Sequence, residues 1–361
     1  MINRDRLVKT FLDLVVIDSP SHNEDQIADD LTRRLKKLGL DVDTDSYGNV
    51  IAGSGGDNPL LLSAHMDTVE PGRGVNPLID GDRIVSDGTT ILGGDCKAGI
   101  SAILEGLCSL REDGTDQIPV EVCFTRAEEP GLLGARNLDY SKIAATESIV
   151  FDGEGPVSRI TNAAPTYIGF KIIIKGRAAH AGFDPENGIS AIRIAADMIT
   201  RLPQGRLDGE TTFNVGTIEG GTVRNAVPES TAVIGEFRSI NVEAIDDLSQ
   251  QLEVVLAKIR AMHPEAEIEA DLTTEFENYR VPDTDPMMVR IQNAVRGLGM
   301  KPTLKSTGGG SDGNIFRQKG INAVVVGMAD HNMHTVREYV TIPDLVDAAH
   351  LCEEMVRKGK D

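Results

Sequence analysis

The sequence predicts an α/β protein with a mixed, mostly parallel sheet and helices on both faces, interrupted by an inserted α+β domain of ferredoxin-like order. Three observations predict it. Short apolar runs of strand length alternate with segments of helical period early in the chain. A central block reads β-α-β-β-α-β instead. The first pattern then resumes. At 361 residues the chain exceeds one ordinary core. Residues 1–164 and 276–361 are expected to form one discontinuous domain, and 165–275 the insertion.

The elements follow in order. "DRLVKTFLDLVVI" and "NEDQIADDLTRRLKKLG" place apolar residues at helical spacing, the second stopping at Gly39. "GNVIAG", "PLLLSAHMD", "PVEVCFTRAEE" and "ESIVFDGEG" are short buried strands, with "KAGISAILEGLCSL" a helix between two of them and "RIVSDGTTILGG" an edge-like strand. In the insertion, "YIGFKIIIKG" is a strand and "NGISAIRIAADMITRL" a helix. "TTFNVGTIEGG" and "STAVIGEFRS" are strands, "VEAIDDLSQQLEVVLAKIRAMH" a long amphipathic helix and "AEIEADLTTEF" a last strand. "INAVVVGM" returns to the first sheet, and "IPDLVDAAHLCEEMVRKG" closes the chain as a helix.

Composition narrows the partners. A net charge of −20 argues against nucleic acid and against an anionic membrane surface. No apolar run approaches membrane-spanning length. The N-terminus lacks the apolar core and cleavage site of a signal peptide, so a cytoplasmic location is expected. Four cysteines without CxxC spacing fit a reducing compartment, with Cys108 and Cys123 expected as buried thiols.

The chemistry sits where the strands end. After "PLLLSA" come His65 and Asp67, two residues apart and so on one side of an extended chain. An isolated His-x-Asp is by default a surface pair; the alternative is a metal-bound imidazole oriented by a carboxylate. Asp95 follows in "GGDCKAG", Glu128 and Glu129 follow "VEVCFTRA", and Asp152 follows "SIVF". Ligands of an open α/β sheet bind beyond the carboxyl ends of its strands. One histidine and five carboxylates meeting there could not all stay ionised without a cation. That many acids exceed the needs of one ion and suit two ions sharing an aspartate. His334, after the strand "INAVVVGM", can supply a second imidazole.

The motifs "AHMDTV", "GGDCKAG", "TRAEEPGLLGAR", "VFDGEG", "AAHAGFDPENGISAI", "GGGSDGN" and "NMHTVRE", spread from about residue 60 to 345, occur in the order seen in peptidase T. The chain thus resembles peptidase T and its close relatives, di-zinc aminopeptidases akin to carboxypeptidase G and the aminoacylases. The resemblance implies a zinc-dependent exopeptidase-like catalytic domain and an inserted lid and dimerisation domain. It implies that His65 and Asp152 hold one ion, Glu129 and His334 the other, and Asp95 both. Asp67 would fix the tautomer of His65, and Glu128 would be the general base for a water activated between the ions. His180, in "AAHAGFDPE", would stabilise the oxyanion, often from a partner subunit in such enzymes. Asn225 and Arg238 would hold substrate, and Gly309 and Gly310 would leave room for its backbone. Cys96 stands where many relatives carry a second aspartate, a position that is not a ligand, and its thiol could make the enzyme sensitive to oxidation.

The expected activity is a tripeptide-type aminopeptidase acting on short peptides with two divalent ions, zinc first, with manganese and cobalt also compatible, and assembled as a homodimer through the insertion. The competing enzyme readings are an N-acyl amino acid deacylase and a dipeptidase or carboxypeptidase of the same fold. A metal-dependent peptide-binding protein is the competing non-enzyme, and it would have no use for Glu128.

Overall fold

The strand Leu60–His65 is buried along its whole length, as expected of a run of leucines flanked on both sides by other strands. In the computed structural model, which describes residues 1–358, it runs parallel to Val120–Thr125 on one side and to Glu147–Gly153 on the other. Asn322–Gly327 continues the parallel core beside Glu147–Gly153. The strands next to this core join it antiparallel. Val50–Gly53 pairs with Val120–Thr125 and with Asp41–Thr44, and Arg159–Ala164 pairs with Asn322–Gly327. The register matters for the site, because it aligns His65 with Thr125 and so brings neighbouring strands to their ends together.

The helix Gly94–Glu112 is buried over almost all of its length. It lies against Leu60–His65 and against the helices Arg4–Val15 and Ile342–Val356. Buried Glu105 on this helix receives Arg6 through Nε at 2.7 Å and a second guanidinium nitrogen at 2.8 Å, a two-pronged pair that pins the N-terminal helix. The closing helix ends at Val356; Gly359, the last residue of the segment expected to be helical, lies outside the described residues.

Two expectations need correction. The run at Arg83–Ser86 is not an edge of the main sheet. It belongs to a separate antiparallel sheet with Pro77–Asp80, Tyr339–Thr341 and Asp330–His331. Its short length and alternating exposure suit a small sheet with one wet face. Cys108 is only half-buried, on a flank of its helix beside Glu112, whereas Cys123 is buried.

Residues Ala164–Arg280 form a second compact unit. Its strands Thr166–Lys175, Thr211–Gly220, Ser230–Ser239 and Glu267–Phe276 make an antiparallel sheet in which Thr166–Lys175 lies between the third and the last. With the helices Ala191–Ile199 and Val242–Met262, this is the ferredoxin-like order. Phe170, Phe213 and Phe237 gather in its core, ring centroids 5.4 and 5.5 Å apart for the pairs involving Phe213. Asn241 caps the long helix by accepting the Glu243 N–H at 3.0 Å.

Gly106 is where the helices Gly94–Glu112 and Ile342–Val356 touch. A Cβ there would stand 2.8 Å from Cys352 Sγ and 3.1 Å from the Ala349 carbonyl oxygen. Gly106→Val is therefore expected to cost about 1–3 kcal/mol by overpacking. It should show as a lower denaturant midpoint at unchanged slope; an unchanged midpoint would contradict this helix contact.

Candidate metal centre

Each side chain of the site comes from the end of a strand, from a turn beyond one, or from the head of a helix. His65 is the last residue of Leu60–His65. Its Nδ1 faces the Asp67 backbone oxygen at 3.0 Å, with the Asp67 carboxylate at 3.4 Å. The orienting contact is thus shared between main chain and side chain. It leaves Nε2 toward the acids: Asp95 Oδ1 at 2.9 Å and Asp152 Oδ1 at 3.5 Å. Asp95 stands at the head of the helix Gly94–Glu112, where the backbone of Asp95 and Cys96 is not helical and the peptide between them is cis. Its other oxygen, Oδ2, meets His334 Nε2 at 3.1 Å, and the same nitrogen meets Glu129 Oε2 at 3.1 Å.

The side chains therefore fall into two groups that share Asp95, namely His65, Asp95, Cys96 and Asp152, and Asp95, Glu129 and His334. The structure brings together all five residues expected as ligands. Cys96 Sγ also lies within reach, but it donates to the Phe151 carbonyl at 2.6 Å, and burial pushes its thiol well above the ordinary range. A thiol kept protonated is a poor ligand.

The charges are what cations would resolve. Burial pushes Glu129 up to about 7 and Asp152 up to about 6. Hydrogen bonds to Asp95 and Glu129 raise His334 to about 10. Burial works against a charged His65, yet Cys96, Asp152, Asp67 and Asp95 around it raise it well above its usual value. For Asp95 burial also works against the charge, and the bonds from His334 and His65 outweigh it and hold it down to about 2. The cluster thus gathers protons on atoms that a metal would otherwise occupy. Glu129 Oε1 is buried with no hydrogen-bond partner. Oxygen and imidazole donors of this kind fit zinc, manganese and cobalt alike.

Asp67 has a further duty that its position in the sequence did not reveal. Its carboxylate accepts the N–H of Glu128 at 2.9 Å, the N–H of Glu129 at 3.3 Å and the Ser21 hydroxyl at 2.7 Å. Glu24, fully buried, accepts the Ala127 N–H at 3.0 Å and holds the Arg126 guanidinium. Three successive N–H groups ahead of and within the Glu128–Glu129 pair thus end on carboxylates. Sequence reasoning missed Glu24, although Ser21 and Glu24 stand at capping-box spacing. It also missed Asp312 in "GGGSDGN", which is buried, accepts the Thr125 hydroxyl and is pushed up to about 7 by burial. Glu338 in "NMHTVRE" was missed too.

The remaining expected residues are placed as follows. His180 lies on an exposed loop of the second unit, stacked on Phe183 at 4.2 Å, with Nδ1 accepting the Gly182 N–H at 3.2 Å. Asn225 is exposed, and its carbonyl oxygen accepts the Ala181 N–H at 3.0 Å. Arg238 pairs with Glu236 at 2.8 Å and lies over the Tyr167 ring at 4.2 Å. Gly309 and Gly310 are half-buried in the turn before the helix Asp312–Gln318, and a Cβ on Gly309 would meet only Thr307 Oγ1, at 3.8 Å.

A pH dependence follows for protein stripped by chelator. Raised carboxyls favour the folded state while protonated, so the stability from Glu129, Asp152 and Asp312 is complete near pH 4 and is lost as pH rises through 6 to 7. His334 acts with the same sign, complete below about 6.5 and lost toward about 10. The stripped protein should therefore melt lower at pH 8.5 than at pH 5.5, and the rise in melting temperature on adding zinc should widen over that interval. Equal zinc effects at the two pH values would contradict the cluster's charge assignment.

Comparison with known proteins gives these groups a context. Residues 162–262 match the family described as Peptidase dimerisation domain, and residues 49–152 match Peptidase family M28. An uncharacterised protein of Bacillus subtilis, YqjE, is 36% identical, with 99% of this chain and 100% of that protein covered. A crystal structure of the aminopeptidase PepT from Bacillus cereus is similar with a TM-score of 0.87 and 34% identity, covering 98% of each chain. That of a tripeptidase from Staphylococcus aureus has a TM-score of 0.92 and 33% identity, covering 99% of this chain and 98% of the other. A Bacillus subtilis structure described as a dinuclear metal binding peptidase shares the fold at 19% identity, with a TM-score of 0.73 and coverage of 98% and 97%. Among the described residues no helix is long and apolar enough to cross a membrane. With matches this complete to an aminopeptidase and a tripeptidase, the chain belongs to the peptidase T-like metallopeptidases.

Proposed function

We propose that this protein removes the N-terminal residue from short peptides, tripeptides above all, using two divalent cations and Glu128 as general base. The observation that carries the reading is the state of Glu128. It belongs to neither ligand group, yet its carboxyl is buried and raised well above its usual range by that burial and by the charge of Asp152. A buried carboxyl whose affinity for a proton is raised is suited to take one from water and return it to a leaving amine. A peptide-binding protein has no need of such a group.

Two zinc ions at these positions would supply an activated water at neutral pH and a Lewis acid for the scissile carbonyl. His65 and Asp152 would hold one, Glu129 and His334 the other, and Asp95 would be shared. Asp67 keeps His65 and the Glu128–Glu129 backbone in one arrangement through the bonds described above. His180 would act as the oxyanion donor, supplied by the partner subunit of a homodimer formed through the insertion; the match to a dimerisation domain supports that assembly. Asn225 and Arg238 would hold the substrate, and Gly309, where a Cβ would meet only Thr307, together with Gly310 would admit its backbone. Aminopeptidase rather than deacylase activity is supported by the likeness, above 30% identity, to an aminopeptidase PepT and a tripeptidase.

Two measurements test this. Tripeptides with a free N-terminus should be hydrolysed in preference to their acetylated forms; the opposite preference would overturn the aminopeptidase reading. Glu128→Gln should lower kcat by about 10²–10⁴-fold while the protein still takes up two zinc ions. Full activity in that variant would remove Glu128 from the mechanism.

A further inference from the structure

The turn that presents Asp95 is itself held by a carboxylate to which the reaction assigns no part. Glu338 is 1% exposed. It accepts the N–H groups of Leu92 at 2.7 Å, Gly93 at 2.9 Å and Asp95 at 3.1 Å. Successive N–H groups pointing inward make an anion-binding concavity. Gly93, with φ of +75°, supplies the left-handed residue that turns them there. The next residue must also be glycine, because a Cβ on Gly94 would stand 2.6 Å from Asp330 Oδ1 and 2.7 Å from Val340 Cγ2.

The turn needs such a holder. Asp95 and Cys96 have non-helical backbone at the start of a long helix, so the N–H groups there find no intrahelical partner. Left alone they would bond water, and the direction of the Asp95 carboxylate would be loose. Yet both its oxygens are committed, Oδ1 to His65 and Oδ2 to His334, at 2.9 and 3.1 Å. Small rotations of the turn would break one contact or the other. Glu338 also stands four residues after His334 in the chain. One carboxylate therefore ties the loop carrying His334 to the turn carrying Asp95.

We propose that Glu338 is a positioning residue that sets the register between Asp95 and His334, and so the affinity of the ion shared by Asp95, Glu129 and His334. The inference rests on the reading that two ions bind here. Residues that orient a ligand from behind typically alter metal affinity by about 10–100-fold when replaced. A cap with a purely structural role would lower the melting temperature and leave the two affinities in their original ratio.

The test titrates zinc into full-length protein against a chromophoric chelator, for the wild type, Glu338→Gln and Glu338→Asp, alongside melting of each chelated protein. The variants should bind one ion about 10–100-fold more weakly and hold the other nearly as the wild type does. Glu338→Asp keeps the charge but is too short to reach all three N–H groups, and it is read on its own if the glutamine variant does not fold. Two ions bound as in the wild type would overturn the inference. So would equal weakening of both accompanied by a lower melting temperature of the chelated protein. A wild type that takes up fewer than two ions would instead remove the dinuclear reading on which the inference stands.

Discussion

Everything in the catalytic unit is arranged around one buried carboxylate that must face two imidazoles at once. Asp95 is 4% exposed, and its two oxygens point to His65 and His334, residues 30 positions before it and 239 after it. Neither contact is local, so the sheet has to bring the ends of Leu60–His65 and Asn322–Gly327 together. The parallel core does this, because parallel strands finish at the same edge. Placing so much negative charge in a buried crevice is unfavourable unless protons or metal ions share it. The raised values of Glu129 and Asp152 beside the lowered one of Asp95 are the protonic form of that sharing.

The acids near the site separate into two kinds by what they accept. Asp67, Glu24 and Glu338 are bound to backbone N–H groups, and between them they hold the turns at 92–95 and 127–129. Asp95, Asp152, Glu128 and Glu129 meet imidazoles, other carboxyls or, at Glu129 Oε1, nothing. The first kind shapes the backbone with oxygens already occupied. The second kind keeps oxygens available for ions or for a proton in transit. Such a division lets a pocket stay rigid before any ion enters it, which limits the ordering cost of binding.

That division also explains what could be read from the sequence. His65, Asp95, Glu128, Glu129, Asp152 and His334 were legible because each follows an apolar run or opens a helix, and strand ends are where an α/β sheet places its chemistry. Glu24 and Glu338 were not, since a carboxylate that binds backbone N–H groups needs no partner of a particular residue type and leaves no pattern of paired side chains. Asp67 was legible only in half of its work, the contact with His65, because its bonds to Glu128 and Glu129 run to main chain 61 and 62 residues away. The strand at Arg83–Ser86 was found, but its assignment to a second small sheet depends on pairing with Tyr339–Thr341, beyond the reach of local periodicity.

On the proposed function, hydrolysis and substrate reading would be carried largely by different parts of this chain, with the oxyanion donor His180 the exception. The ligand groups and the Glu128 carboxyl lie wholly in the first unit, whereas His180, Asn225 and Arg238 lie in the insertion. The first set answers to electrostatics alone, since any peptide or acylamide carbonyl offers the same oxygen to a Lewis acid and the same carbon to water. On that reading Asn225 and Arg238 would decide which molecule arrives. Arg238 is already engaged by Glu236 and by the Tyr167 ring, so a substrate carboxylate, if it docks there as proposed, would gain from it only what exceeds those contacts. On that reading a chain of this kind could keep one hydrolytic centre, whose ligand groups all belong to the first unit, and change its substrate by altering strand and loop residues of the insertion.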